Sequence, residues 1–450
     1  MTDLIDNPIT TITALSHEGR GIAHINGKTT FVGGALPQEE VEIHYLKKHS
    51  KFDEAEVVKI LKASKDRVEP RCPHFAICAG CSLQHLSQDA QIAFKEKVLL
   101  EQLEHFAGLK LDNREKILSP IKATSWGYRR RARLAVKYVA KKGKVLVGFH
   151  EKTGRYLADT TSCAVLREEI GSKLGELAEL VGSLSVYDAI PQIEVASDDS
   201  SIALIFRLLR PASEDDLEKI RLFAKKHVYN IYLQNKGLDS IVMFFDPKDE
   251  SGASKDKLCY KIPEYGIDME FAPTDFVQVN AEVNQQMIAQ ALRLLDLKPE
   301  DKVLDLFCGI GNFTLPLAKF CQSVVGVEGE EGLVSRAKTN AASNAIYNTE
   351  FFVSNLANDA SELKNLAWAG RSYNKILLDP PRSGAFSLIK LLPQLKAEKI
   401  VYVSCNPATL ARDLKELLAS GYSLEKIGIL DMFPHTSHVE TMAVLANKKS

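Results

Sequence analysis

The first 65 residues alternate short apolar runs with Gly, Asn and Pro breaks. ITTITAL, GIAHING, TTFVGGALP, EEVEIHYLKK and FDEAEVVKIL predict five strands, with turns such as Asn26-Gly27 between them. Such a run suits a small closed barrel of OB type, or another small β-domain. Residues 66–86, with Pro70, Pro73 and Gly80, predict a loop. After Ser87, a candidate N-cap, DAQIAFKEKVLLEQLEHFAGL carries apolar residues at helical spacing up to Gly108. From 117 to 260 the pattern is mixed. RARLAVKYVA, KVLVGFH, IPQIEVAS, SIALIFRLLR and YNIYLQN predict strands; EEIGSKLGELAELVG and ASEDDLEKIRLFAKKH predict helices.

Past residue 265 the texture changes. The β-branched runs KVLDLF, SVVGVE, TEFFVS, KILLDP and KIVYVS each precede a helical stretch, the pattern of a parallel sheet covered on both faces. SLEKIGILD and ETMAVLAN have no helix between them, so one is expected to run antiparallel at the sheet edge. The expected architecture is multidomain α/β: a β-barrel over 1–65, a central α+β region over 66–264, and a Rossmann-like domain over 265–450.

The 450 residues, 45% hydrophobic and 26% charged, have the composition of folded domains and not of a disordered chain. No apolar run reaches the roughly 18 residues that cross a bilayer. The N-terminus carries Asp3 and Asp6 where a signal peptide carries basic residues. A cytoplasmic protein with no membrane partner is expected, and no obligate protein partner is evident. The net charge of −1 is unevenly spread: residues 1–170 hold 27 Lys+Arg against 21 Asp+Glu. Residues 122–144 hold nine basic residues and no acid: Lys122, Arg129, Arg130, Arg131, Arg133, Lys137, Lys141, Lys142 and Lys144. With Trp126 and Tyr128 beside them, they suit phosphate contact and base stacking on unpaired RNA.

Candidate chemistry gathers at the expected strand ends of the last domain. KVLDL runs into Phe307-Cys308-Gly309-Ile310-Gly311-Asn312-Phe313. A glycine turn there lets a ligand approach backbone and helix N–H groups. Asp305 and Glu328 end successive strands, where an acid can bind ribose hydroxyls. The loop lacks the third glycine of a dinucleotide fingerprint, so a nucleoside such as S-adenosylmethionine fits better. Asp379-Pro380-Pro381-Arg382 ends the fourth strand, and the absence of an aromatic after the prolines argues against methylation of an amino group. Ser404-Cys405-Asn406-Pro407 ends the fifth. Cys405 is a candidate nucleophile, with the following helix N-terminus expected to lower its pKa. Glu440, in the late loop PHTSHVE, is a candidate general base, with His435 and His438 able to orient it or contact substrate. A thiol, a methyl donor and a base together suit methylation of uracil C5, which needs thiolate addition at C6 to become nucleophilic.

Cys72, Cys78, Cys81 and the distant Cys163 suggest a metal site, and spacing alone leaves zinc and iron–sulfur equally open.

FVQVN (276–280), DLFCGIGNF, LLDPPR, VSCNPATLARD and HTSHVE, in this order, resemble the RNA uracil-C5 methyltransferases. The resemblance implies that Gln278, Phe307, Asn312, Glu328, Asn355 and Asp379 bind S-adenosylmethionine. It implies that Cys405 is the nucleophile and Glu440 the base. GRGIAHINGKTTFVGGALPQEEVE resembles a TRAM domain, a small RNA-binding barrel. With it, the four cysteines resemble the [4Fe–4S] ligand set of the family's 23S ribosomal RNA branch. The implied substrate is a flipped uracil in a loop or bulge of 23S rRNA. A fused branch that modifies two 23S sites is the alternative, and a non-catalytic RNA-binding iron–sulfur protein is the rival of a different class.

Overall fold

The segment ITTITAL, expected as one strand, divides into two short ones, and this division closes the N-terminal barrel. The computed structural model describes residues 7–152, 154–249 and 257–448. Asp3 and Asp6 of the N-terminus therefore lie outside the described residues. The first sheet has the order β1-β5-β6-β4-β3-β2, built from β1 (Ile9–Thr11), β2 (Ala14–Leu15), β3 (Gly21–Ile25), β4 (Lys28–Gly33), β5 (Glu40–Lys48) and β6 (Phe52–Lys62). Thr11 and Ala14 lie close in sequence yet belong to opposite edges of the sheet, so the sheet rolls up. Ile12, between them, is buried with Ala23, Val32, Val41, Ile43 and Ala55.

The second sheet has the order β12-β11-β10-β9-β7-β8. Its strands are β7 (Arg131–Val139), β8 (Lys144–Gly148), β9 (Gln192–Ser197), β10 (Ile202–Arg207), β11 (Tyr229–Gln234) and β12 (Ile241–Phe245). The short edge strand β12 is the one element here that periodicity did not single out. A hairpin, β13 (Leu258–Ile262) and β14 (Ile267–Phe271), follows and packs into the core of the last domain.

The third sheet has the order β17-β16-β15-β18-β19-β21-β20. Five strands are parallel: β15 (Lys302–Leu306), β16 (Ser323–Glu328), β17 (Thr349–Val353), β18 (Lys375–Leu378) and β19 (Lys399–Ser404). β20 (Tyr422–Leu430) and β21 (Glu440–Asn447) complete it. The antiparallel strand is β21, but it lies inside, between β19 and β20, and β20 takes the edge. The strand order reverses at β15, and the carboxyl ends beside that point form the ligand-binding crevice of open α/β sheets.

The helix Gln88–Gln102 continues as a π-helical turn, Leu103–Ala107, and ends at Gly108 with φ 65°. It does not pack on the central sheet. Phe94, Val98, Leu99 and Leu103 join the core of the third sheet with Leu414 and Ile429. The segment behind it bridges Ile117 to Ile427 and Ile121 to Leu430, extending the edge beyond β20. Among the described residues, no helix is long and apolar enough to cross a membrane.

Candidate active site

The donor loop leaves β15 through a strained backbone. Phe307 has φ 63°, a region that costs a non-glycine residue about 1 kcal/mol or more. Gly311 has φ 96°, and a Cβ there would lie 2.5 Å from the Leu315 side chain. Glu328, at the end of β16, folds back over this loop: it accepts from Gly309 N–H at 3.1 Å and Gly329 N–H at 2.6 Å. Asp305 is buried, accepts from the Thr314 hydroxyl at 2.5 Å, and is pushed up to about 7 by burial. Asn312 lies on the same loop, but its amide exchanges hydrogen bonds with Asn284 at 2.9 and 3.0 Å and accepts from Tyr260. Its side chain therefore shapes the loop. Asn355 is exposed after β17, and its side chain accepts from Ala357 N–H. Gln278 reaches Asp379 at 3.4 Å. The preceding strap is tied to the central domain: Arg131 donates to the carbonyls of Pro273 and Asp275.

Cys405 and Glu440 meet at the same end of the sheet. Ser404 pairs with Thr441 in the antiparallel register, and the Thr441 hydroxyl donates to the Ser404 carbonyl at 3.0 Å. Glu440 is 3% exposed, and burial beside the Asp379 charge holds its carboxyl well above the usual range. Asp379 is also raised by burial. The Cys405 thiol is pushed up to about 11 by burial and by Glu440 and Asp379, with Arg382 opposing. This corrects the expected lowering. At the start of the helix beyond Cys405, Pro407 has no N–H and Ala408 N–H donates to the Asn406 side chain, and burial with the two carboxylates outweighs what the helix dipole contributes.

A cavity of about 630 Å³ opens onto Cys405. Arg382, Asn406, Ser437 and His438 line it, as the sequence motifs suggest. His17, Gln102, His105 and Phe106 line it too, from the barrel, the end of the helix Gln88–Gln102 and the π-helical turn. No local motif marked these four. They join the site only through domain packing.

The sheet order agrees with the comparisons. A family model described as tRNA (Uracil-5-)-methyltransferase matches residues 257–449, and a TRAM domain model matches residues 10–58. The chain is 48% identical over 438 residues to the 23S rRNA (uracil(1939)-C(5))-methyltransferase RlmD of Alcanivorax borkumensis, covering 97% of this chain and 96% of that one. It is 49% identical over 436 residues to the protein of the same name from Nitrosococcus oceani, covering 96% and 94%. The chain belongs to the RlmD family of RNA uracil-C5 methyltransferases. The fold is shared with Pyrococcus abyssi tRNA (uracil-54, C5)-methyltransferase in complex with S-adenosyl-L-homocysteine: TM-score 0.72, 24% identity, covering 98% of this chain and 100% of that one.

In this RlmD-family chain the clustered Cys72, Cys78 and Cys81 and the distant Cys163 line one cavity of about 300 Å³. Cys72 and Cys81 are buried; Cys78 and Cys163 are half-buried. Among the described residues, no three His, Cys, Asp or Glu side chains converge as the ligands of a single metal ion. His74 accepts from Thr161 N–H at 3.2 Å, and the His85 ring lies tilted against Phe75, centroids 5.3 Å apart. Thr436, Ser437 and His438 complete the wall, so Ser437 and His438 border both cavities.

The basic segment is more internally paired than its composition suggests. Arg130 pairs with Asp199, Arg133 with Glu194, and Lys142 and Lys144 both with Asp159. Lys137 and Lys141 are exposed. The aromatic residues expected to stack RNA bases both make contacts within the protein, Tyr128 buried and Trp126 half-buried. Tyr128 is buried and donates to Pro434 O at 3.1 Å, and Trp126 stacks on His435 at 3.8 Å. His435 is itself buried, which lowers its pKa to about 4, and it braces its loop through Gln91. It does not line the Cys405 cavity.

Proposed function

We propose that the chain methylates C5 of a uracil in 23S ribosomal RNA, at the position its relatives' name numbers 1939, with S-adenosylmethionine as donor. The observation that carries this reading is the juxtaposition of Cys405 and Glu440 at the carboxyl edge of the sheet. Rossmann-like sheets bind their ligands there, and the Glu328-clasped loop lies at the same edge. Gln278, Phe307, Asn312, Glu328, Asn355 and Asp379 are the proposed donor contacts.

The chemistry divides among these groups. The Cys405 thiolate adds to uracil C6, and the C5–C6 π pair moves onto C5 and O4. C5 attacks the sulfonium methyl, whose carbon–sulfur bond breaks to leave neutral S-adenosylhomocysteine. Glu440 takes the C5 proton, the double bond re-forms, and the thiolate departs. A raised carboxyl suits that role, since a base works best with a pKa near the working pH. Bound sulfonium, being cationic, favours the ionised forms of Cys405, Asp379 and Glu440. The target base must leave its stack to reach the cavity, so a loop or bulge is the proposed substrate. The reading places the protein in the cytoplasm.

Cys72, Cys78, Cys81 and Cys163 are the proposed ligands of a [4Fe–4S] cluster. Four thiols around one cavity match its donor set, and the volume between them suits a multi-atom group. When bound it would tie the 72–81 loop to Cys163 and leave the methyl transfer to the residues above.

The test is incubation of rRNA with labelled donor and either wild type or Cys405→Ala. Label in the RNA from wild type alone supports the reading. Label from neither leaves an RNA-binding protein without this activity.

A further inference from the structure

Glu440 opens β21, and the loop Asp431–Val439 connects it to β20. That loop is held by residues of the central region. Lys95, fully buried in the helix Gln88–Gln102, donates to Asp431 Oδ1 at 2.6 Å and to Phe433 O at 2.9 Å. Gln91, one turn earlier, accepts from His435 N–H at 2.8 Å and donates to Leu83 O and Leu86 O at 3.1 and 2.7 Å. The His435 carbonyl accepts from Ser82 and Leu83 N–H at 3.0 and 2.9 Å, and Ser437 N–H donates to Ser82 Oγ at 3.0 Å. Alternate loop residues 431, 433, 435 and 437 are thus each anchored to a segment 336 to 355 positions earlier in the chain.

We propose that Lys95 and Gln91 are positioning residues of the reaction: they set the loop Asp431–Val439 so that Glu440 meets the C5 proton. The inference rests on the reading of Glu440 as the base. A buried ion pair adds little net stability over a well-packed apolar pair. It does add direction. The Lys95 ammonium places two of its three donors on Asp431 and Phe433, pinning the loop where it leaves β20. Misplacement of a proton acceptor by about 1 Å costs about a hundredfold in rate.

The test compares Lys95→Met, Gln91→Met and the double variant Lys95→Met/Asp431→Leu, all with donor and rRNA. The readouts are kcat, KM for RNA, melting temperature, and protein–RNA adduct stable to denaturant. Lys95→Met is expected to lower kcat about tenfold or more with KM within about twofold, while adduct accumulates because release is the slowed step. The double variant replaces the pair by apolar groups and is expected to recover the melting temperature but not the release rate, since Phe433 O still lacks its donor. Recovery of both would make the pair merely structural and overturn the proposal. So would wild-type kcat in Lys95→Met, or adduct falling in step with kcat. If Lys95→Met does not fold, the double variant and Gln91→Met decide by the same criteria. Two controls separate the levels: no adduct of wild type with RNA carrying 5-fluorouracil defeats the reading of Cys405, and normal turnover by Glu440→Gln defeats that of Glu440, whereas unaffected variants with both controls passed defeat only the positioning role.

Discussion

Cys405 follows Ser404 and Glu440 precedes Thr441, the last pair of the antiparallel strands β19 and β21, so the Glu440 charge acts on the Cys405 thiol. The antiparallel direction makes this possible. A parallel last strand would place its first residue at the opposite end of the sheet, away from the thiol. Because β21 runs back between β19 and β20, its first residue lands at the ligand edge. The base is then held in the β20–β21 ladder, and the nucleophile directly follows the last paired residue of β19.

Replacing Glu440 by Gln removes the proton acceptor and keeps the shape. Addition and methyl transfer are expected to survive, with release slowed by about 10²- to 10⁴-fold. A denaturing gel of the protein with donor and rRNA should show a stable adduct. Normal turnover would take the base role away from Glu440.

The Cys405 thiol, at about 11, holds its proton in the free protein at neutral pH. Only the deprotonated form reacts with iodoacetamide. Alkylation at Cys405, read by peptide mass, should rise about tenfold per pH unit from 7 to 10. Arg382→Ala removes the cation that opposes the shift and should slow the reaction at a given pH. A rate that is flat between pH 7 and 9 would mean that the thiolate already exists.

Gly171 cannot carry a side chain without disturbing the cysteine cavity. A Cβ there would lie 2.4 Å from the Cys163 carbonyl oxygen, and Cys163 N–H donates to the Gly171 carbonyl at 2.7 Å. Gly171→Ala should displace Cys163. Anaerobically purified wild type is expected to be brown, with thiolate-to-iron charge-transfer absorption, and the variant paler. Colourless wild type containing zinc would reverse the cluster assignment.

Among the described residues, Lys137 and Lys141 are the exposed members of the basic segment outside its ion pairs. If they touch phosphate, each change to Ala should lower the slope of log affinity against log salt by about 0.7 on unpaired RNA. Unchanged slopes would move the RNA path elsewhere on the surface.

Within each element, the sequence was a reliable guide. The period of apolar residues reports burial directly, so the barrel strands, the helix up to Gly108, the alternating strands and helices of the last domain, and the strand ends carrying Gly309, Glu328, Asp379 and Cys405 were legible from pattern and motif. Tertiary structure decided what depends on partners distant in the chain. It split ITTITAL between two sheet edges, set β21 inside β20, and turned Trp126 and Tyr128 inward onto the late loop. It also gathered His17, His105 and Phe106 around Cys405, and joined Lys95 to Asp431. The thiol's ionisation belongs to the same class. A helix end beside Cys405 suggested a lowered pKa, but the outcome is a sum over burial and every nearby charge, and that sum exists only once Asp379 and Glu440 have been folded against it.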